Sequence, residues 1–193
     1  MVGQLFYYPI HFAAVMGNSS GVQVLLEKLT SSDVVGQILC LDSSTSIGSD
    51  SQPRPLNMSN SISPLFIAAH KGHAVVLELL LNSCLLAQAE LRNKVDSDED
   101  LDEGFASHGP NVIDPRLQIQ PGSIADSLGR TMLHFGAHFG HLDICSLLLC
   151  DQRYGIDITQ RDSIYRWNAL HYATAQVRKA HQYTLHQSNK TKL

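Results

Sequence analysis

The sequence predicts an all-α repeat solenoid, in which helix–turn–helix units stack side by side. Two stretches, SPLFIAAHKGHAVVLELLL at 63–81 and TMLHFGAHFGHLDICSLLL at 131–149, align without gaps and share Leu, Ala, His, Gly, His and a closing Leu-Leu-Leu. A unit repeated in this way indicates a solenoid, because each unit buries its apolar face only against its neighbours. Hydrophobic residues make up 44% of the 193 residues, which is enough for the core of a soluble protein.

The first helix of each unit is predicted to begin at a polar residue. Ser63, Thr131 and Asn168 carry side-chain oxygens that can accept from the free N–H groups at the start of a helix. Pro64 follows Ser63 at the first helical position, where its missing N–H has no cost. Small residues in mid-helix predict close approach of the second helix and of the neighbouring unit.

A glycine and then a second helix follow each first helix. Gly17, Gly72 and Gly140 stand where the first helix must end, and only glycine adopts the left-handed conformation there without a Cβ penalty. The second helix then repeats apolar residues at i, i+1, i+4 and i+5, which predicts one apolar stripe. These residues are Val76, Leu77, Leu80 and Leu81 in one unit and Ile144, Cys145, Leu148 and Leu149 in the other.

Two further copies of the template are YPIHFAAVMGNSSGVQVLL at 8–26 and the incomplete NALHYATAQ at 168–176. The shared pattern resembles the ankyrin repeat, whose hallmark is Thr-Pro-Leu-His followed by Gly-His. The resemblance implies β-hairpin loops between the units, and residues 89–96, 126–134 and 155–162 look like parts of such hairpins. It also implies that the motif histidines bond to the capping hydroxyl and to the backbone.

The copies start at Tyr8, Ser63, Thr131 and Asn168, which are 55, 68 and 37 residues apart, against an ankyrin period of about 33. The spacing therefore predicts two long loop insertions. The predicted organisation is repeat 1 at 7–30, a Ser/Pro-rich insertion at 31–62, repeat 2 at 63–96, an acidic, Gly/Pro-containing disordered insertion at 97–125, repeat 3 at 126–162, a partial repeat 4 at 163–180 and a polar tail at 181–193.

The second insertion begins with six carboxylates between Asp96 and Glu103, a density that predicts disorder. The alternating aspartates resemble the start of an EF-hand loop, but Gly104 comes one place late and Gly109 occupies the position of the bidentate Glu. Calcium binding is therefore disfavoured. Ser97, followed by Asp-Glu-Asp, resembles a substrate of acidophilic kinases and is a candidate modification site.

His134, His138 and His141 have the i, i+4, i+7 spacing of ligands to a helical zinc site. The template nevertheless places histidines at the first and third of these positions in other copies, and no Glu lies between His134 and His138 to act as a general base. A structural role is favoured, and a His-based metal-binding protein is a remote alternative. We predict no cofactor, no metal and no catalytic residue.

The composition of the chain narrows the possible classes of partner and cellular location. The net charge of −4 disfavours nucleic acid as a partner. No uninterrupted apolar run approaches the ~20 residues that span a bilayer, and the start of the chain lacks the basic region of a signal peptide, so membrane insertion and secretion are not expected. Cysteines in or beside helical patterns indicate a reducing compartment, the cytoplasm or the nucleus.

The predicted function is a non-catalytic scaffold or adaptor module that binds a protein partner through its first helices and hairpins, as a monomer or as part of a larger chain. The alternative is a truncated regulatory or targeting domain of a larger channel, kinase or ubiquitin-ligase protein. The candidate contact residues are those that the template leaves variable: Val15, Met16, His70, Lys71, Leu128, Arg130, His138, Phe139, Tyr165, Arg166 and Trp167.

Overall fold

The computed structural model describes residues 8–39, 63–97 and 118–177 of the chain. The α-helices are α1 (Pro9–Met16), α2 (Ser19–Lys28), α3 (Ser31–Leu39), α4 (Pro64–Lys71), α5 (Ala74–Ser97), α6 (Met132–Phe139), α7 (Leu142–Cys150) and α8 (169–177). Two short 3₁₀ helices cover Pro121–Ser123 and Gln152–Tyr154.

The helices form antiparallel pairs that stack in two rows. The pairs are α1 with α2, α4 with α5 and α6 with α7. The first helices α1, α4 and α6 contact one another in sequence, and so do the second helices α2, α5 and α7. Helix α8 extends the first row, because the Tyr172 ring lies 5.6 Å from that of His134 on α6. The predicted all-α repeat solenoid is confirmed.

The core lies between the two rows, along the apolar stripe of the second helices. Val76, Leu77, Leu80 and Leu81 of α5 are buried, as the i, i+1, i+4, i+5 spacing predicts. In α7 the stripe is narrower: Ile144 and Leu148 are buried, Cys145 is half-buried and Leu149 is 53% exposed. The described residues contain no further second helix against which Leu149 would pack.

Helix α3 is the largest departure from the sequence prediction, which placed residues 31–39 in an insertion. It carries the same apolar spacing as the second helices, with Val34, Val35, Ile38 and Leu39 buried against α5 and α4. Thr30 caps it, since the Asp33 N–H donates to the Thr30 hydroxyl oxygen at 3.3 Å. The serines here therefore belong to the first turn of a capped helix rather than to a loop.

Helix α5 is also longer than predicted. Residues 89–96, which resemble a hairpin arm in sequence, continue the helix to Ser97, so that prediction is wrong. The turn just before this segment is held by packing: Ala87 and Gln88 are buried, and the Gln88 amide donates to the Ile119 carbonyl at 2.8 Å. Tertiary contacts of this kind override weak local signals.

By length and composition alone, α5 resembles a membrane span, with a mean hydropathy of 1.6 over an 18-residue window within Ala74–Lys94. The sequence-based argument concerned uninterrupted apolar runs, and Glu78 interrupts this one, so the absence of membrane insertion stays a prediction. The apolar residues of α5, however, contact α2, α3, α4 and α7, and its most apolar window is 39% buried within the protein. These contacts are those of a helix packed inside the stack.

Hairpin turns precede α6 and α8, and the described residues contain no strand. In the first turn the Asp126 N–H donates to the Arg130 carbonyl at 2.9 Å. In the second, the Asp162 N–H donates to the Trp167 carbonyl at 2.8 Å. The two turns contact each other through a bond of 2.7 Å from the Ser163 N–H to the Leu128 carbonyl. The predicted β-hairpins are thus tight turns in this part of the chain.

The end of the second predicted insertion, residues 118–125, is ordered against the core. Pro121, Gly122 and Ile124 are buried, and the 3₁₀ helix at Pro121–Ser123 contacts α5 and the one at Gln152–Tyr154. The acidic stretch after Ser97 and the polar tail at 181–193 lie outside the described residues. Ser97 itself ends α5, but its side chain is likewise outside them.

Candidate protein-binding surface

The start of α6 shows how a template histidine acts. The Thr131 N–H donates to His134 Nδ1 at 3.1 Å, and the Thr131 hydroxyl lies 2.9 Å from the same nitrogen. Because Nδ1 accepts from a backbone N–H, the proton of the neutral ring is on Nε2, which donates to the Trp167 carbonyl at 3.2 Å. His134 therefore ties α6 to the next hairpin turn, and its predicted structural role is confirmed.

This bonding requires a neutral ring. Burial lowers the pKa of His134, although the bond to the Trp167 carbonyl and the charge of Asp162 oppose that shift. The unfolded chain, in which histidine titrates near 6.5, then takes up a proton that the folded protein refuses. The free energy of unfolding contributed by His134 is accordingly present above about pH 6.5 and declines as the pH falls below it.

We expect His134→Gln to flatten this pH dependence. Glutamine at the third helical position can still accept from the Thr131 N–H but does not titrate. Urea unfolding at pH 7.5 should stay within about 1 kcal/mol of wild type, and stability should decrease less toward pH 5.5. A parallel pH dependence in variant and wild type would show that His134 does not titrate in this way.

The Gly-His histidines bridge adjacent units. His73 Nε2 lies 3.2 Å from the Val15 carbonyl, and His141 Nε2 lies 3.0 Å from the His70 carbonyl. In each case the acceptor ends the first helix of the preceding unit. A carbonyl only accepts, so Nε2 carries the proton in both rings. These hydrogen bonds use both rings to join adjacent repeat units, so the Nε2–H group of neither ring is available to a ligand.

The glycines of the template have a matching role. A Cβ on Gly17 would stand 2.7 Å from the His73 ring, and one on Gly72 would stand 2.8 Å from the His141 ring. A Cβ on Gly140 would meet nothing within 4 Å. All three have positive φ angles, between 66° and 79°, so each needs glycine for the left-handed turn. Gly17 and Gly72 also need glycine because a Cβ would collide with the bridging histidine.

The turn at 162–167 is organised by a buried carboxylate. Asp162 Oδ1 accepts from the N–H groups of Tyr165 and Trp167, both at 2.9 Å, and Oδ2 accepts from the Tyr172 hydroxyl at 2.5 Å. Burial alone would raise the pKa of Asp162, but these bonds outweigh it and hold the pKa below its ordinary value. Arg166, which lies between Tyr165 and Trp167, has a φ of +56°, and the bonds to its two neighbours maintain this conformation.

A cleft of about 250 Å³ opens on the row of first helices. It spans three consecutive units, since its lining comes from α4, from the 126–130 turn, from α6 and from α8. The lining residues are His70, Arg130, His134, Phe135, His138, Phe139 and Tyr172. We call this the first-helix cleft.

Four predicted contact residues meet in the first-helix cleft: His70, Arg130, His138 and Phe139. The Phe139 ring lies between the two histidines, with its centroid 4.3 Å from that of His70 and 4.7 Å from that of His138. It remains 41% exposed. The arrangement combines an accessible aromatic ring with polar side chains at its edge.

The other predicted contact residues lie elsewhere. Val15 and Met16 end α1, one unit away, and Met16 lines a separate open groove between α1 and α2. Lys71 is exposed at the end of α4. The hairpin residues Leu128, Tyr165, Arg166 and Trp167 lie in the two turns, where Trp167 is half-buried against the rings of Tyr165, His171 and Tyr172.

Sequence reasoning missed His134, Phe135 and Tyr172 as cleft residues. Phe135 and Tyr172 occupy equal template positions, and Phe135 shares a helix face with His138 and Phe139 at i, i+3 and i+4. The Arg130 guanidinium lies over the Phe135 ring at 4.7 Å, a cation–π contact. The sequence signal that could have identified Phe135 and Tyr172 is the aromatic residue directly after each motif histidine.

The described residues contain no group of three or more His, Cys, Asp or Glu side chains placed to hold a metal ion. Burial raises the pKa of the Cys84 thiol to about 12 and raises that of Cys145 as well. Neither group is therefore a thiolate at neutral pH. The groups that the surface presents are hydrogen-bond donors, cationic groups and an aromatic ring, which suit the binding of another molecule.

The capped first helices, the left-handed glycines and the histidine bridges define a helical repeat protein in which each unit is bonded to the previous one. The family model for ankyrin repeats, in three copies, matches residues 31–162, which is more than half of the chain. The chain belongs to the ankyrin-repeat family. The matched range includes α3 and leaves out α1 and α2, although those helices have the same pairing and the same bridge to the next unit.

Comparison with solved structures agrees with this assignment. A chain in the crystal structure of the yeast ribosomal protein Rps3 in complex with its chaperone Yar1 is similar at a TM-score of 0.53 and 19% identity. The alignment covers 89% of this chain and 84% of that chain. At this identity the similarity shows the fold. No curated protein sequence matches the chain significantly.

Proposed function

We propose that this protein is a non-catalytic adaptor or scaffold module that binds a protein partner on its first-helix face. Membership of the ankyrin-repeat family supports protein binding in general. The observation that carries the choice of surface is Phe139, an aromatic residue that is 41% exposed at the end of α6, in a cleft shared by three units. Aromatic residues in such positions are favoured anchors of protein interfaces.

Phe139 is not required for the bonds that join the units. Those bonds run through His134, His141 and the backbone. Truncating Phe139 should therefore remove contact area from the cleft and leave the stack folded. Trp167 is a weaker candidate anchor, because it is half-buried and its N–H and carbonyl are both used within the fold.

Affinity capture from lysate with wild type and Phe139→Ala, followed by mass spectrometry, tests this proposal. We expect Phe139→Ala to lose a partner by tenfold or more, which is about 1.4 kcal/mol or more, with an unchanged melting temperature. Leu149→Ala is the matched control, since Leu149 is a similarly exposed apolar residue on α7 in the other row. Equal losses for both variants, or a partner lost only with Leu149→Ala, would contradict the proposed surface.

A second candidate function is that of a regulatory or targeting domain within a larger channel, kinase or ubiquitin-ligase protein. It is favoured by an open apolar groove of about 590 Å³ on α1 and α2, where Phe12 is 62% exposed and Met16 is 77% exposed. A neighbouring unit in a longer stack would cover such a surface. Detection of the native protein at only 21.2 kDa would contradict this candidate.

We also propose an intracellular location, in the cytoplasm or the nucleus. The described cysteines are free thiols, and Cys84 is buried within the core. Burial in this form agrees with a reducing compartment. Fluorescent tagging at either end, followed by fractionation, tests the location.

A further inference from the structure

A row of four aromatic rings crosses the first-helix cleft. The rings belong to His70 on α4, to Phe139 and His138 on α6 and to Tyr172 on α8. Successive ring centroids are 4.3, 4.7 and 5.5 Å apart, and each pair of rings meets edge to face. The row therefore continues across three units, and it presents ring faces and edges to a ligand along its whole length.

The charged groups of the cleft are already neutralised within the fold. Nε and Nη2 of Arg130 bond to Asp126 Oδ2 at 2.8 and 2.7 Å. The ring of His134 uses both of its nitrogens in hydrogen bonds to the backbone and the capping residue. Burial, the largest cause, lowers the pKa of His70, so this ring is neutral at pH 7. The electrostatics of the cleft therefore favour an uncharged ligand.

Two hydrogen-bond donors in the cleft remain available. Within the described part of the chain, neither ring nitrogen of His70 forms a hydrogen bond, and a neutral imidazole carries one N–H. The guanidinium of Arg130 has further N–H groups besides those on Asp126, and Nη1 bonds to no described residue. Both groups can donate to a carbonyl oxygen of a ligand that lies along the ring row.

The size and backbone of the cleft decide which kind of peptide fits it. A peptide that binds as an added β-strand needs a free sheet edge, and the described residues contain no strand. One turn of an α-helix, about 10 Å across and 5.4 Å long, occupies roughly 400 Å³, which is more than the cleft volume of about 250 Å³. A polyproline II segment is thinner, has no internal hydrogen bonds and packs its proline rings on aromatic side chains.

We propose that the first-helix cleft binds a proline-rich segment of the protein partner in the polyproline II conformation. Its proline rings pack against Phe139 and His138, and its peptide carbonyls accept from His70 and Arg130. This inference rests on the proposed function and adds the chemical class of the partner segment. A polyproline II chain advances about 3.1 Å per residue, so roughly four or five residues follow the ring row. Such a segment is preformed and therefore loses little conformational entropy on binding.

A phage-displayed library of random twelve-residue peptides, selected on the full chain and counter-selected on Phe139→Ala, tests the proposal. The strongest selected peptide is then synthesised with a fluorescent label, together with a counterpart in which every proline is alanine, and both are titrated by fluorescence anisotropy. Phe139→Leu keeps apolar volume without the ring, and His70→Phe keeps a ring without the N–H. Leu149→Ala on the second-helix row is the matched control, and thermal melting confirms that each variant is folded.

We expect the selected peptides to share two or more prolines and to carry no excess of either charge. The alanine counterpart and Phe139→Leu should each weaken binding at least tenfold, His70→Phe should weaken it severalfold, and Leu149→Ala should match wild type. The inference would be overturned by selection of proline-free peptides, whether acidic or with the apolar spacing of a helix, by selection of none, or by unchanged affinity in the alanine counterpart or in either cleft variant. If Phe139→Ala still loses its captured partner in those cases, the proposed function stands and only the proline-rich class is wrong.

Discussion

Gly72→Ala should destabilise the protein by about 3 kcal/mol. The φ of +79° costs about 1 to 2 kcal/mol for a residue with a Cβ. The added methyl would also stand 2.8 Å from the His141 ring, which is fixed by its bond to the His70 carbonyl. Displacing that ring breaks an inter-unit hydrogen bond worth about 1 kcal/mol. Urea unfolding followed by circular dichroism measures the change.

Gly140→Ala is the matched control, because Gly140 has nearly the same φ, +72°, but open space around its Cβ position. It should show only the backbone cost, about 1 to 2 kcal/mol. In a His141→Ala background the cost of Gly72→Ala should approach that of Gly140→Ala. Equal costs for Gly72→Ala and Gly140→Ala in the wild-type background would show that the bridging histidine does not constrain the glycine.

Asp162→Ala should destabilise the protein by about 3 kcal/mol and loosen the 162–167 turn first. The substitution removes the acceptor for two backbone N–H groups and for the Tyr172 hydroxyl. Loss of a buried, charged partner in such a network costs about 3 kcal/mol or more. Without these bonds Arg166 loses the two neighbouring N–H contacts that maintain its positive φ. The α6–α8 contact through Tyr172 weakens at the same time.

The single tryptophan of the chain reports this change, because Trp167 lies in the affected turn. In Asp162→Ala its fluorescence transition should occur at a lower urea concentration than the loss of helical circular dichroism. Asp157→Ala is the control: Asp157 makes a similar short-range bond to the Thr159 N–H, 2.8 Å, but is exposed. It should stay within about 0.5 kcal/mol of wild type. Coincident transitions in Asp162→Ala would contradict a local role for the carboxylate.

The repeating contacts were predictable from the sequence because they are local or recur at fixed spacing. Ser63, Thr131 and Asn168 begin the helices as expected, and the glycines end them. The histidine at the Thr131 cap could be expected from the family resemblance. What the resemblance did not specify was the partner of each Gly-His histidine, since a bond from His141 to His70 depends on how two units stack.

Helix α3 and the end of α5 could not be predicted in the same way, because each is stabilised by the other. Residues 31–33 are Ser-Ser-Asp, a sequence that favours a loop and a helix start equally. The helix forms because it buries apolar residues on α5: Val34, Val35, Ile38 and Leu39. Similarly, residues 89–97 remain helical because the preceding turn of α5 packs on α3 and on the segment that includes Ile119.

The first-helix cleft was predictable from the sequence only in part. Phe139 and His138 were predicted from the template as variable positions, and their proximity follows from one helix. Their meeting with His70 and Tyr172 required the distance between units, which only the structure supplies: 4.3 Å from Phe139 to His70 and 5.5 Å from His138 to Tyr172. The position of Arg130 likewise depends on the Asp126 turn.

The central claim, that a protein partner binds on the row of first helices, is tested most directly by site-specific photo-cross-linking. A benzophenone amino acid is placed at Lys71 on the first-helix row and, in a second protein, at Leu149 on the second-helix row; both positions are exposed. We predict cross-links to the captured partner from position 71 and none from position 149. Cross-links from position 149 alone would contradict the claim.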